Sequence, residues 1–152
     1  VAMAVQTRTT RGLSFLRRAS GDPELEKPAG SILERVGLKD FLHRPAAELA
    51  HGQQRQLEFA MALALQPQLL LLDEPMAGMG PQESKILVDL LAELRGTVTI
   101  LLVEHDMDAV FALADRVTVL VYGRAIASGT ADDIRNNAAV REAYLGEGDD
   151  AA

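Results

Sequence analysis

Leu69-Leu70-Leu71-Leu72-Asp73-Glu74-Pro75 is the stretch on which the fold turns. Four apolar residues read as a buried strand that delivers two adjacent carboxylates to its end. In open α/β sheets the ligand crevice lies beyond the carboxyl ends of the strands, so Asp73 and Glu74 stand where a hard cation and water could meet them. Pro75 has no N–H for further ladder pairing. Taken alone, the stretch fits equally a strand that ends in a solvated acidic turn. Its neighbours break the tie.

Upstream, Leu49-Ala50-His51-Gly52-Gln53-Gln54-Arg55-Gln56-Leu57-Glu58 reads as a turn opening a helix. Downstream, Thr99-Ile100-Leu101-Leu102-Val103-Glu104-His105-Asp106 is a second apolar strand that ends in polar groups. Between them Pro81 takes a first helical position, and Ile86, Leu87, Leu90, Leu91 and Leu94 form one helical stripe that stops near Gly96. The segment from Gln53 to Gln66 carries Leu57, Ala60, Met61, Ala64 and Leu65 as the expected buried face of a helix, closed by Pro67. Further on, Met107 to Ala114 reads as a helix, Val117 to Val121 as a strand, and Tyr122-Gly123 as a turn into a short strand from Arg124 to Ala127. The order is β-α-β-α-β-β, which predicts an α/β fold with a mostly parallel sheet and an antiparallel edge hairpin. Thr130 before Ala131-Asp132-Asp133 signals a helix start, and Ala138 to Leu145 a last helix.

The first 30 residues are the least legible. Gly21-Asp22-Pro23 and Pro28-Ala29-Gly30 read as breakers, which predicts a helix end, a mobile loop and a restart, with a short helix from Ser31 to a C-cap at Gly37. The tail from Gly146 is expected to be disordered.

Composition narrows the function classes. A chain of 152 residues, 48% hydrophobic, can bury one sizeable core. Formal net charge is −7 with no basic block, which argues against a nucleic-acid partner. Aromatic content of 4% without tryptophan leaves little for base-stacking or sugar-binding platforms. Cysteine is absent, which excludes disulfides, zinc-thiolate sites and thiol nucleophiles and agrees with a reducing compartment. No apolar run reaches the ~18 to 20 residues that span a bilayer. Met61, Met76, Met79 and Met107 share no helical face and read as packing, and His43 reads as structural.

Taken together, Leu49-Ala50-His51-Gly52-Gln53, Leu69 to Glu74, Ala77-Gly78-Met79-Gly80 and Glu104-His105-Asp106 resemble, in that order, the signature motif, Walker B with its catalytic glutamate, the D-loop and the H-loop of ABC transporter ATPase subunits. The resemblance covers roughly residues 32 to 145. It implies ATP and Mg²⁺ as cofactors, with Asp73 holding Mg²⁺ through water and Glu74 acting as general base. It implies that His105 contacts the γ-phosphate, and that Ala50, His51, Gly52 and Gln53 present a helix N-terminus to ATP held by a partner subunit. The implied partners are a second ATPase subunit, two transmembrane permease subunits and, indirectly, a periplasmic solute-binding protein. The implied place is the cytoplasmic face of the membrane.

Ala50 and His51 depart from the usual L-S-G-G-Q, and Gly80 stands where a D-loop often carries Asp or Asn. An Ala followed by an aromatic or His, then Gly-Gln, is similar to ATPases of branched-chain amino acid and urea importers, as is the closing Ala139-Val140-Arg141-Glu142-Ala143-Tyr144-Leu145-Gly146. A P-loop, G-x-x-x-x-G-K-[ST], is not among these residues: Lys27, Lys39 and Lys85 never follow a glycine. The expectation is therefore the C-terminal portion of such a subunit. Residues 1–66 would be part of its helical subdomain, 67–146 the later half of its catalytic core and 147–152 a tail. By itself this portion is expected not to hydrolyse ATP. The alternatives are a urea or amide importer ATPase and a truncated docking module. A DNA-repair or translation ATPase fits less well, since neither coiled-coil insertions nor tandem domains are present.

Overall fold

The computed structural model describes residues 1–9 and 22–145. The mobile loop expected before Asp22 and the disordered tail from Gly146 lie outside the described residues. The chain divides into two compact units, Val1–Glu104 and a second that begins at His105.

The first unit opens with α1 (Ala2–Thr9) and α2 (Pro23–Arg35). The second of these corrects the expected short helix from Ser31 to Gly37, because it runs straight through Pro28 and Gly30. Its N-terminus is well made: Asp22 accepts from the Glu24 N–H, and Pro23 takes the first position, where its missing donor costs nothing. Packing offsets the bond lost at Pro28, since Leu25 and Ala29 are buried with Val5 and Ala64, and Ile32 packs against them. The end is as expected. Gly37, at φ +80°, lets its N–H reach the Glu34 carbonyl (3.0 Å) and the Leu38 N–H reach the Leu33 carbonyl (2.8 Å), the two bonds of a Schellman cap.

Two short 3₁₀ turns, Lys39–Phe41 and Ala46–Glu48, lead into α3 (His51–Ala64). Its buried face is Gly52, Gln56, Phe59, Ala60, Leu63 and Ala64. The expected stripe is thereby rotated: Ala60 and Ala64 stay inside, while Met61 and Leu65 are exposed. Gly37 lies against this face: a Cβ there would stand 3.3 Å from Gln56 Nε2 and 3.0 Å from Ile86 Cδ1.

Strand β1 (Leu69–Asp73), helix α4 (Pro81–Leu94) and strand β2 (Thr99–Val103) follow in the expected order. The strands pair in parallel, Leu69 with Thr99 through Asp73 with Val103. α4 buries Leu87, Leu90 and Leu91 from the expected stripe. The expectation of a fully buried β1 is corrected. Leu70 is 5% exposed but Leu71 is 69% exposed, and Leu69, Leu101 and Val103 share that open face. Parallel pairs need cover on both faces, and this one is covered on one.

The second unit holds α5 (Met107–Leu113), β3 (Val117–Val121), β4 (Arg124–Gly129), α6 (Ala131–Arg135) and α7 (Ala138–Val140), which runs into a wider π-type turn, Arg141–Leu145. β3 and β4 form an antiparallel hairpin with a bulge between Val119 and Leu120. Val117, Val119, Ile134 and Val140 make its core, with Phe111 and Ala127 packed against it. No helix among the described residues is long and apolar enough to cross a membrane.

Candidate functional site

The ladder of β1 stops at Asp73 for reasons the turn itself makes plain. Glu74 takes a left-handed backbone, φ +44°, which costs a side-chain-bearing residue about 1 to 2 kcal/mol. Its N–H still reaches across to the Val103 carbonyl at 2.8 Å. Pro75 has no N–H to offer. The next donor, the Met76 N–H, goes to Glu104 Oε1 at 3.1 Å. The chain then winds on itself, Ala77 N–H to the Glu74 carbonyl and Met79 N–H to the Met76 carbonyl, both 3.1 Å. The result is a tethered turn that leaves Asp73 and Glu74 exposed beyond the end of the strand.

The turn also carries the chain from those acids to the start of α3. Gly78, at φ +72°, lies under the His51 ring: a Cβ added there would stand 2.9 Å from His51 Cδ2. A Cβ on buried Gly52 would lie 3.7 Å from the Met79 Cα and 3.6 Å from Glu83 Cγ. At Gly80, which caps α4, the same added atom would meet Glu83 Oε2 at 2.5 Å. An Asp or Asn at position 80 would have to move the Glu83 carboxylate, the far end of a flexible side chain, out of its way.

At the N-terminus of α3, Ala50 has an extended backbone and no side-chain oxygen for the first-turn donors. Gln53 Oε1 accepts from the Ala50 N–H at 3.0 Å, and the Gln54 N–H closes the first helical bond to the Ala50 carbonyl at 2.9 Å. That leaves a helix start whose dipole and backbone donors suit an anion. Ala50, His51, Gly52 and Gln53 are thus brought together with Gly78 and Met79, as one wall. Asp73 and Glu74 stand at the far end of the same turn. His105 opens the second unit as an exposed residue, followed by Asp106, whose Oδ1 caps α5 by accepting from the Asp108 and Ala109 N–H groups at 3.0 and 3.2 Å.

Mg²⁺ suits this donor set. Among the described residues no group of three or more His, Cys, Asp or Glu side chains is arranged to hold a metal. Magnesium keeps most of its water and takes one or two carboxylates together with substrate phosphates, and the exposed Asp73 carboxylate is an oxygen donor of that kind. Two residues of this neighbourhood, Glu83 and Glu104, carried no role in the sequence reading. The signal for Glu104 was available: a carboxylate one step past a strand whose partner strand ends in Glu-Pro.

Comparison with known proteins bears on the same motifs. The sequence model of the ABC transporter family matches residues 2–77, half of the chain, and that of the branched-chain amino acid ATP-binding cassette transporters matches residues 126–150. The chain is 50% identical over 121 residues to the high-affinity branched-chain amino acid transport ATP-binding protein LivG of Salmonella typhimurium, covering 78% of this chain and 48% of that protein. It is 47% identical over 121 residues to the corresponding protein BraF of Pseudomonas aeruginosa, with the same coverage of 78% and 48%. A solved ATP-binding cassette of an ABC transporter superposes with a TM-score of 0.72 at 26% identity, over 95% of this chain and 61% of that one. The chain spans about half the length of the curated relatives it matches.

Proposed function

The chain belongs to the ABC transporter family, and from that premise we propose that it forms the C-terminal part of an ATP-hydrolysing subunit of an importer for branched-chain amino acids. The observation that carries the reading is the tethered acidic turn, Asp73-Glu74 at the end of a parallel strand, joined by Gly78 and Met79 to the start of α3. The substrate class follows from the family match over residues 126–150 and from the names of the relatives. In this reading residues 1–66 belong to a helical subdomain and 67–146 to the later half of the catalytic core.

Asp73 would hold Mg²⁺ by way of water, its carboxylate accepting hydrogen bonds from the shell that this ion keeps. When bound, that ion neutralises the charge of the phosphates. Glu74, pinned by its own N–H and by that of Met76, accepts a proton from the attacking water. His105 offers an imidazole N–H to the transferred phosphate. Gly52 and the first turn of α3 give backbone donors to the phosphate of a nucleotide on a second subunit, with no hydroxyl from Ala50. The subunit would work as a dimer under two permease subunits on the cytoplasmic face of the membrane, with a solute-binding protein upstream.

The test is turnover of ATP. These 152 residues alone should show none, since no P-loop lysine is among them. In a subunit that joins them to a P-loop segment, Glu74→Gln should lower kcat by roughly a hundredfold or more, the worth of a positioned general base. Equal turnover in the two proteins would sink the assignment.

A further inference from the structure

We propose that Glu104 is a positioning residue: its carboxylate takes over from the backbone ladder at the end of β2 and fixes the turn that presents Glu74. The inference rests on reading Glu74 as the base that accepts a proton from water, and it extends that reading to the side chain that follows the neighbouring strand.

The argument is an account of where the donors of one turn go. In a parallel pair each strand residue continues the ladder until one strand leaves it. Here the pairing runs to Asp73 and Val103, and the residues one step on are Glu74 and Glu104. Glu74 leaves by turning to φ +44°, and Pro75 has no donor at all. The Met76 N–H then lies where β2 would have to supply an acceptor, while the Met76 side chain is buried at 9% exposure. A buried backbone donor requires a partner. Glu104 supplies it from its side chain at 3.1 Å, one residue beyond the Val103 carbonyl that already holds the Glu74 N–H.

Both amides that flank Pro75 are therefore held at the end of β2, one by the backbone carbonyl of Val103, its last residue, and one by the carboxylate of Glu104, the residue after it. At 3.1 Å the bond has the length of an ordinary N–H···O bond, and without it a backbone donor beside a buried side chain would be left unmet. The bond holds a left-handed Glu74 that would otherwise relax toward an ordinary strand conformation. The same turn continues into Gly78 against His51, so release at Met76 would loosen the wall at α3 as well.

Nuclear magnetic resonance on the labelled 152-residue chain decides it, with hydrogen exchange at the Met76 amide, the Glu74 carboxyl carbon signal and the Gly78 amide signal as readouts. In Glu104→Ala the Met76 amide should exchange roughly tenfold to a hundredfold faster, the loss expected when a donor is left without its acceptor. The Glu74 and Gly78 signals should move, while the Leu87 amide keeps its position and so reports an intact unit. Glu104→Gln keeps an oxygen acceptor and should hold Met76 exchange within about threefold of the unsubstituted chain. Three results would each overturn the proposal: Met76 exchange unchanged in Glu104→Ala, Met76 released with the Glu74 signal unmoved, or Glu104→Gln behaving like Glu104→Ala. Should Glu104→Ala fail to fold, Glu104→Met, which keeps the length of the side chain and loses the oxygen acceptor, takes its place with the same expectations for Met76, Glu74 and Gly78. No readout uses ATP, so failure of the ATPase reading would appear separately, in the turnover of Glu74→Gln.

Discussion

The parallel pair β1–β2 and the hairpin β3–β4 are both two-stranded, yet one is finished and the other is not. The hairpin is closed by neighbours in sequence. Its strands join through two residues, its inner face of Val117 and Val119 is covered by Ile134 and Val140, and those come from the helices that follow it directly. The parallel pair must be joined by a whole helix, α4, and its second face of Leu69, Leu71, Leu101 and Val103 stays open. Parallel strands acquire their cover from distant parts of a chain, whereas a hairpin carries its cover with it. Asp73 ends the unfinished pair and Glu74 follows it, at the end where strands of such sheets meet ligands.

That contrast can be broken most sharply within β1 itself. Leu70 and Leu71 are adjacent, chemically identical and on opposite faces. Leu70→Ala should destabilise the first unit by about 2 to 5 kcal/mol through lost burial and a cavity. Leu71→Ala should change it by less than about 0.5 kcal/mol. Hydrogen exchange at the β2 amides is the measurement, and equal effects at the two positions would mean that the open face is covered after all.

How much of this was legible depended on which interactions are local. Element order could be read because Pro81, Thr130 and the apolar periods of β1, β2 and α4 act within a few residues. The start of α2 could not, because Pro28 and Gly30 look like breakers until Val5 and Ala64 are known to pack on Leu25 and Ala29. The expected stripe of α3 was right at Ala60 and Ala64 and wrong at Met61 and Leu65; the buried face takes in Gln56, whose amide lies beside Gly37, far off in sequence. Asp73, Glu74 and His105 are singled out by residue type at strand ends, and their proposed roles come from the resemblance. The approach of Gly78 to His51 and the bond from Met76 to Glu104 were not read from the sequence, because each joins residues far apart along the chain.

The finished hairpin holds one local strain that sharpens the comparison. Tyr122 sits at φ +49° and Gly123 at φ +74°, the paired left-handed conformations of a tight hairpin turn, and the Tyr122 side chain is fully exposed. Asn tolerates that backbone far better than Tyr. Tyr122→Asn should therefore raise the stability of the hairpin by about 0.5 to 1 kcal/mol, read as slower exchange at the Val119 and Ala127 amides. Faster exchange would mean that the ring contributes packing that its exposure does not reveal.

The smallest effect is a pH dependence at the hairpin's exit. Thr130 and Asp133 cap α6 reciprocally: the Thr130 N–H and hydroxyl donate to Asp133 Oδ2 at 2.9 and 2.8 Å, and the Asp133 N–H donates to Thr130 Oγ1 at 3.2 Å. The backbone N–H of Thr130 first, and its hydroxyl second, hold the Asp133 carboxyl below its ordinary value of 3.8. A carboxyl lowered on folding binds fewer protons folded than unfolded, so its contribution is complete above that ordinary value and fades as the pH falls through the lower, folded one. α6 carries Ile134 into the core of the hairpin, so the acid end of that window should loosen the cover of Val117 and Val119. A titration of the Asp133 carboxyl carbon should give a midpoint below 3.8 that moves up toward it in Thr130→Val, which loses the hydroxyl but keeps the backbone donor. A midpoint at 3.8 or above in the unsubstituted chain would show that the cap is not held by charge. The closure of the hairpin would then rest on its apolar cover alone.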